Sequence, residues 1–255
     1  MKNIELDSLL KAGVHFGHLT RKWNPNMAPY IFMEKKGMHI IDLNKTKIKL
    51  EEALVALKKI AKTGRKILFV ATKKQSKFIV EREMQKIKMP FVTERWYGGM
   101  LTNFTTIRKA VKKMDSIDRM KEDGSRDTLS KRERLQLDRK RAKLEKYLGS
   151  ISDMNRLPAA VFIIDVLKEK IAVAEAAKLN IMTFAMVDTN SDPSMIDYPI
   201  PANDDASKSI EVILSSVVNA ISEGLDEREQ EKKNNENQKK EDNNQKKSSA
   251  SKINK

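Results

Sequence analysis

His15 and His18 stand three apart in residues 12–25, AGVHFGHLTRKWNP, directly before Arg21, Lys22 and Trp23. The whole chain holds 3 histidines and 2 tryptophans, so this stretch concentrates scarce side chains. Imidazoles can ligate a metal, while arginine, lysine and indole can grip a nucleic acid. The same residues also fit an ordinary loop. Three aspartates elsewhere could partner a histidine. Asp188 follows the apolar run MTFAMV, and Asp204 and Asp205 stand at the start of a helical pattern. His18, Asp188, Asp204 and Asp205 would form a tetrahedral ligand set of the zinc type, and a neutral imidazole argues against magnesium. Alternatively, Asp204 is an N-cap, and both acids are favoured by the positive end of the helix. His15 reads as a packed or hydrogen-bonded side chain rather than a ligand.

Other motifs point to polyanions. ATKKQ (71–75) lies where a strand feeds a helix, so Lys73 and Lys74 could meet phosphate at a helix N-terminus. No GxGxxG or GxxxxGK[ST] occurs, so backbone cannot close round a pyrophosphate, and an RNA phosphate is preferred to a nucleotide. In RWYGGMLTNF (95–104), Arg95 and Trp96 offer charge and a stacking plane, and Gly98-Gly99 permits close approach or a tight turn. Lys35, Lys36, Arg108, Lys109, Lys112 and Lys113 complete the candidate RNA contacts. Asp165 and Asp188 both follow apolar strands. They could be a magnesium pair, although a capping role fits Asp165 better. No Ser/His/Asp constellation or GxSxG is present. The enzymatic alternative is a phosphometabolite- or nucleotide-binding site at the strand C-terminal edge.

Charge is distributed unevenly. Residues 1–107 carry 21 Lys/Arg against 9 Asp/Glu, and residues 108–146 carry 15 against 8. Residues 147–225 reverse the balance, 5 against 11. A basic front and an acidic rear imply two surfaces with different partners, the basic one suited to RNA or DNA. With no cysteine, thiolate zinc sites, disulfides and cysteine nucleophiles are excluded. The N-terminus lacks the apolar run of a signal peptide, and no stretch reaches the roughly 18 apolar residues of a membrane span. The expectation is a cytoplasmic protein without membrane or small-molecule partners.

The elements that must position these residues follow from periodicity. ILFVA (67–71), FVT (91–93), AVFIID (160–165), MTFAMV (182–187) and a short edge strand near 198–200 alternate with helical patterns at 45–62, 73–88, 169–179 and 205–223. Short apolar strands alternating with amphipathic helices mean a parallel sheet covered on both faces. Residues 104–121 and 128–148 each show one narrow apolar seam, predicting an antiparallel helical hairpin inserted between the second and third strands. Such a hairpin could reach across a polyanion or be a self-contained coiled coil. The expected organisation is an α/β body of 1–103 and 149–225, a hairpin of 104–148, and a disordered polar tail of 226–255.

Six segments in order carry a resemblance: LLKAGVHFGHLTRKWNPNMAPYIF, GMHIIDLNKT, ILFVATKKQ, RWYGGMLTNFTTI, LPAAVFIID and MVDTNSDPSMIDYPIPANDDASKSI. Over about residues 4–224 the chain closely resembles the bacterial small-subunit ribosomal protein S-two family. It departs at Tyr97, Ala71 and Ala202, where that family commonly has a small aliphatic residue, glycine and glycine. The resemblance implies a flavodoxin-like, three-layer, doubly wound fold with the hairpin insertion. It implies a non-enzymatic place on the small subunit, contacts to small-subunit rRNA, and a part in holding the large OB-fold-repeat ribosomal protein that helps bring mRNA. It also implies a structural zinc near His18 and the aspartates, as some members carry, with Arg21, Lys22 and Trp23 facing RNA from a loop that His18 fixes.

Overall fold

The computed structural model describes residues 5–125 and 129–253, excepting the side chains of 234–253. The expected start of the second hairpin helix at 128 lies outside the described residues, as do residues 1–4 and 254–255 of the expected body and tail.

Five short apolar segments form one parallel sheet: β4 (Ile67–Val70), β5 (Phe91–Val92), β6 (Ala160–Ile164), β7 (Met182–Val187) and β8 (Tyr198–Pro201). Their spatial order is β5-β4-β6-β7-β8. Counted within the sheet this is 2-1-3-4-5, the flavodoxin-like order. Alternate side chains separate the two faces. Phe69, Phe162, Phe184 and Tyr198 stand in register across four strands and form an aromatic ladder, with Phe69–Phe162 centroids 5.3 Å apart and Phe184–Tyr198 stacked at 4.6 Å. This face is covered by α2 (Leu43–Thr63), α3 (Lys74–Ile87) and α7 (Ser207–Ile253), through Leu50, Leu57, Val80, Ile213 and Val217. The opposite face, with Leu68, Val70, Val161, Ile163, Ala185 and Val187, meets α6 (Lys170–Lys178) and the chain around Trp96 and Met100. Burial on both sides explains why these strands read as continuous apolar runs.

A second sheet was not foreseen. After α1 (Leu6–Lys11), β1 (Phe16–Leu19), β2 (Ile31–Lys35) and β3 (Met38–Ile41) pair antiparallel in the order β1-β3-β2. Lys36 and Gly37 both have positive φ, 54° and 75°, as a tight two-residue hairpin turn requires. The strands are short and irregular in register, and β2 is largely exposed, so no alternating pattern marked them.

Two helices follow β5: α4 (Phe104–Glu122) and α5 (Lys131–Leu148). Phe104 and Ile107, from the start of α4, and Leu144 and Leu148, from the end of α5, join one apolar cluster, while Asp118, further along α4, takes Arg141 Nε at 2.6 Å, so the pair runs antiparallel. Arg141, which interrupts the apolar seam, therefore bridges the two helices. A capping box on Ser130 and Glu133 begins α5.

The last helix does not stop at the expected boundary of 225. Helix α7 continues to Ile253, through the segment expected to be disordered. Past the core, Lys58 of α2 pairs with Glu227 at 2.8 Å and Lys62 with Glu231 at 2.6 Å. The segment beyond is rich in Lys, Asn and Ser and lacks Gly and Pro, the two strongest helix breakers.

Candidate metal centre and nucleic-acid interface

Parallel strands deliver their C-terminal ends to one edge of the sheet, and the sequence places acids there. Asp165 follows β6, Asp188 follows β7, and Asp204 and Asp205 follow β8. The N-terminal segment is held against this edge by backbone as well as by histidine. Asn203 N donates to Val14 O at 3.0 Å, His18 N to Thr189 Oγ1 at 2.8 Å, and Asn24 N to Thr189 O at 2.8 Å. Gly17 makes the approach possible, since a Cβ there would lie 2.6 Å from Thr189 Cγ2.

His18 is thereby set among the acids. Its Nδ1 lies 3.0 Å from Asp188 Oδ2. Ligand atoms of His18, Asp188 and Asp204 all fall within 4.8 Å of one another. Asp188 Oδ2 and Asp204 Oδ2 are buried without an aligned hydrogen-bond donor, so both oxygens have capacity for a cation. The residues present therefore fit a zinc-type ion with three protein ligands. Asp205, the fourth residue of the expected set, falls outside this group of three. Its Oδ2 lies 3.3 Å from the opposite ring nitrogen, His18 Nε2, and its Oδ1 takes Lys73 at 2.7 Å. It thus lies across the imidazole from Asp188. Asp188 beside the ring raises the His18 pKa, against burial, with Asp204 and Asp205 adding to the pull.

Lys73 is the side chain the sequence misplaced. Expected to face RNA, it is turned inward, 3.1 Å from Asp165, 2.8 Å from Asp204 and 2.7 Å from Asp205. Burial pulls its pKa down and the carboxylates more than reverse this, leaving it above the ordinary lysine value. Asp204 is pushed up to about 7, by burial first and then by the charges of Asp188 and Asp165, against the relief from Lys73. Asp165 has the capping role expected of it, accepting Lys168 N at 3.0 Å. Buried Glu169 accepts Thr72 N at 3.0 Å and the Thr72 hydroxyl. These pairs satisfy one another across the β4–β6 crevice, where a doubly wound sheet ordinarily admits a ligand. That leaves the phosphometabolite reading without support.

The basic candidates divide by exposure. Arg21 and Lys22 lie in a turn after β1, and Lys35 and Lys36 at the β2–β3 turn, all four exposed. Thr20 N donates to Gly37 O at 3.0 Å, joining the two turns into one basic tip. Trp23 is exposed beside it, its ring 5.2 Å from that of His39. His15 packs on Phe16 with centroids 4.0 Å apart, as expected of a packed side chain. Lys74, Arg95, Lys109, Lys112 and Lys113 are exposed too.

Two further candidates are corrected. Trp96 is buried, and its Nε1 donates to Glu175 Oε1 at 3.1 Å. Arg108 is half-buried and donates to the carbonyls of Ser152 and Met154, at 3.1 and 3.2 Å, tying α4 to the connection between α5 and β6. Each cation or ring was read as a surface group from its type, whereas the fold supplied an internal partner.

Sequence reasoning missed Glu175 altogether. From α6 its carboxylate accepts Trp96 Nε1, the backbone N–H groups of Gly99, Leu101 and Thr102, and the Thr102 hydroxyl. It thus fixes RWYGGMLTN at the base of α4. Within AVAEAA its only signal was a lone acid on an apolar helix.

No helix among the described residues is long and apolar enough to cross a membrane. The arrangement is that of a flavodoxin-like α/β protein with exposed basic turns and a cluster of acids at one sheet edge, partly compensated by Lys73 and His18. The chain matches the model of the family described as ribosomal protein S2 over residues 9–224, and it belongs to that family. It is 68% identical to the small ribosomal subunit protein uS2 of Flavobacterium johnsoniae over 90% of this chain and 91% of the relative. It is 64% identical to that of Phocaeicola vulgatus over 91% and 83%, respectively. It is accordingly a structural protein of the small ribosomal subunit, with a role in translation.

Proposed function

We propose that this chain binds small-subunit rRNA through the basic tip of its small sheet and the exposed face of its helical hairpin, without chemical turnover. In this reading 1–103 and 149–225 are the body and 104–148 the RNA-reaching arm. The observation that carries the proposal is the joining of Arg21, Lys22, Lys35 and Lys36, all exposed, at one end of the β1-β3-β2 sheet. Such a cluster attracts polyanions by releasing counterions. Titrating binding of a small-subunit rRNA transcript against salt tests it. Changing all four to Gln should reduce the slope of log K against log salt by about 3, at roughly 0.7–0.9 per phosphate lost. An unchanged slope would remove the tip from the interface.

The same reading assigns a structural zinc to His18, Asp188 and Asp204. Zinc would neutralise the two carboxylates and fix the N-terminal segment on the sheet edge. Protein purified without chelator should contain about one zinc per chain, and His18→Ala should lower that at least tenfold. Elemental analysis that finds no zinc in the wild type ends the assignment. Next to this edge the small sheet exposes Phe16, Phe32 and Met33, with Phe32 69% accessible. These exposed apolar side chains support the reading that the large OB-fold-repeat ribosomal protein docks on the small sheet.

A further inference from the structure

The opposite edge of the sheet, where the strands begin, carries a second basic surface that neither the motifs nor the RNA reading above uses. Arg65 and Lys66 directly precede β4, Lys88 precedes β5, and Arg156 precedes β6. These are three neighbouring strands, in the order β5-β4-β6, so their entry loops stand side by side. Hydrogen bonds hold the loops together. Lys66 Nζ donates to Lys88 O at 2.7 Å, and Ala159 N donates to Lys66 O at 2.9 Å. Between the loops before β4 and β6 runs an open groove of about 510 Å³, lined by Arg65, Lys66, Asp153, Asn155, Arg156 and Leu157 among others. At its end Arg228 of α7 packs on the backbone of Gly64, in the space a Cβ would fill.

Arg65, Lys66, Lys88 and Arg156 are exposed and make no ion pair among the described residues. Lys62, further back, is already neutralised by Glu227 and Glu231. The acid that lines the groove is Asp153. Arg156 comes from the otherwise acidic rear of the chain, so folding completes a positive surface that the linear charge count divides. From this we infer that the strand-entry edge is a second phosphate-backbone contact for RNA, separate from the tip. Two arginine forks match phosphate oxygens, and Asn155 adds an amide. An acidic protein surface is the poorer fit. Protein interfaces centre on buried aromatic and aliphatic anchors, and the lining offers one exposed large apolar side chain, Leu157.

The inference rests on the proposed RNA reading, and the test separates the two. The full chain and its Arg65→Gln/Lys66→Gln/Arg156→Gln variant are titrated with a small-subunit rRNA transcript over a range of potassium chloride concentrations. The variant should bind about tenfold more weakly at 0.1 M salt, with the slope reduced by about 2–3. Arg65→Lys/Arg156→Lys, which keeps the charge, should keep the slope. If the triple variant binds with the wild-type slope while loss of the tip cations lowers it, the strand-entry inference fails and the RNA reading stands. If the wild type shows no salt-dependent RNA binding, both fail. Photo-cross-linking in the assembled small subunit gives a readout independent of any variant's folding. Nucleotide adducts on peptides spanning 65–66 or 153–157 support the inference, and cross-links from these peptides to a protein alone overturn it.

Discussion

Glu175→Ala should lower the free energy of unfolding by about 3 kcal/mol or more. Five donors converge on this carboxylate, and those of Trp96 and Leu101 are buried, so truncation leaves them without acceptors. An unsatisfied buried polar group costs about 1–3 kcal/mol, and losing a hydrogen bond to a charged acceptor costs a similar amount. Glu175→Gln is not a conservative replacement, because its amide NH2 would face backbone N–H groups donor to donor. It should cost a substantial part of the alanine effect. Urea unfolding reads both, and amide exchange at Gly99, Leu101 and Thr102 should quicken before the rest of the sheet. Burial raises the Glu175 pKa, but the donated hydrogen bonds outweigh it and hold the group below its ordinary value. A depressed folded pKa gives stability that is present above the unfolded value near 4.5 and lost as pH falls through the folded one. The wild type should therefore lose stability in acid below about pH 4.5 more steeply than Glu175→Ala. Equal acid profiles and an unchanged urea midpoint would mean the carboxylate does not organise this loop.

Lys73→Ala should be comparably damaging. Its ammonium touches Asp165, Asp204 and Asp205, and the Asp204 side chain is 0% exposed. Removing one partner from a buried ionic cluster typically costs about 3–5 kcal/mol, because the remaining charge stays buried and uncompensated. A second cation could replace part of what is lost. Under the proposed metal assignment, added zinc should raise the melting temperature of Lys73→Ala in a concentration-dependent way, as expected for a ligand of the folded state. The Lys73→Ala/His18→Ala double variant should not respond. A melting temperature for Lys73→Ala equal to the wild type would show that the lysine does not hold the acids. Recovery that is indifferent to His18 would separate the cation from the imidazole.

Which features were legible in the sequence follows from how far each signal reaches along the chain. ILFV and AVFII announced buried parallel strands because both faces of this sheet are covered, and that demand is met residue by residue. The aspartates following β6, β7 and β8 could be assigned to one edge because a parallel sheet sends all strand ends the same way. The antiparallel β1-β3-β2 sheet was not visible. Its strands are short, and Phe32 and Met33 stay exposed side by side, so no period of two appears. Lys73, Trp96 and Arg108 were misread for a related reason. Residue type records what a side chain can bind, not whether the fold brings it a carboxylate or carbonyl from 44 to 131 residues away.

The sequence by itself determined the layered α/β class, the separation of basic and acidic halves, and the gathering of Asp188 and Asp204 at one sheet edge, because local periodicity and strand polarity suffice for these. Only the tertiary structure decided that Asp205 takes the far side of the imidazole, that Lys73 serves the acids, and that Glu175 anchors the hairpin base. It also decided that Arg156 joins Arg65 and Lys66. Each of these depends on distances between segments remote along the chain, set by how the layers pack, and no local pattern encodes them.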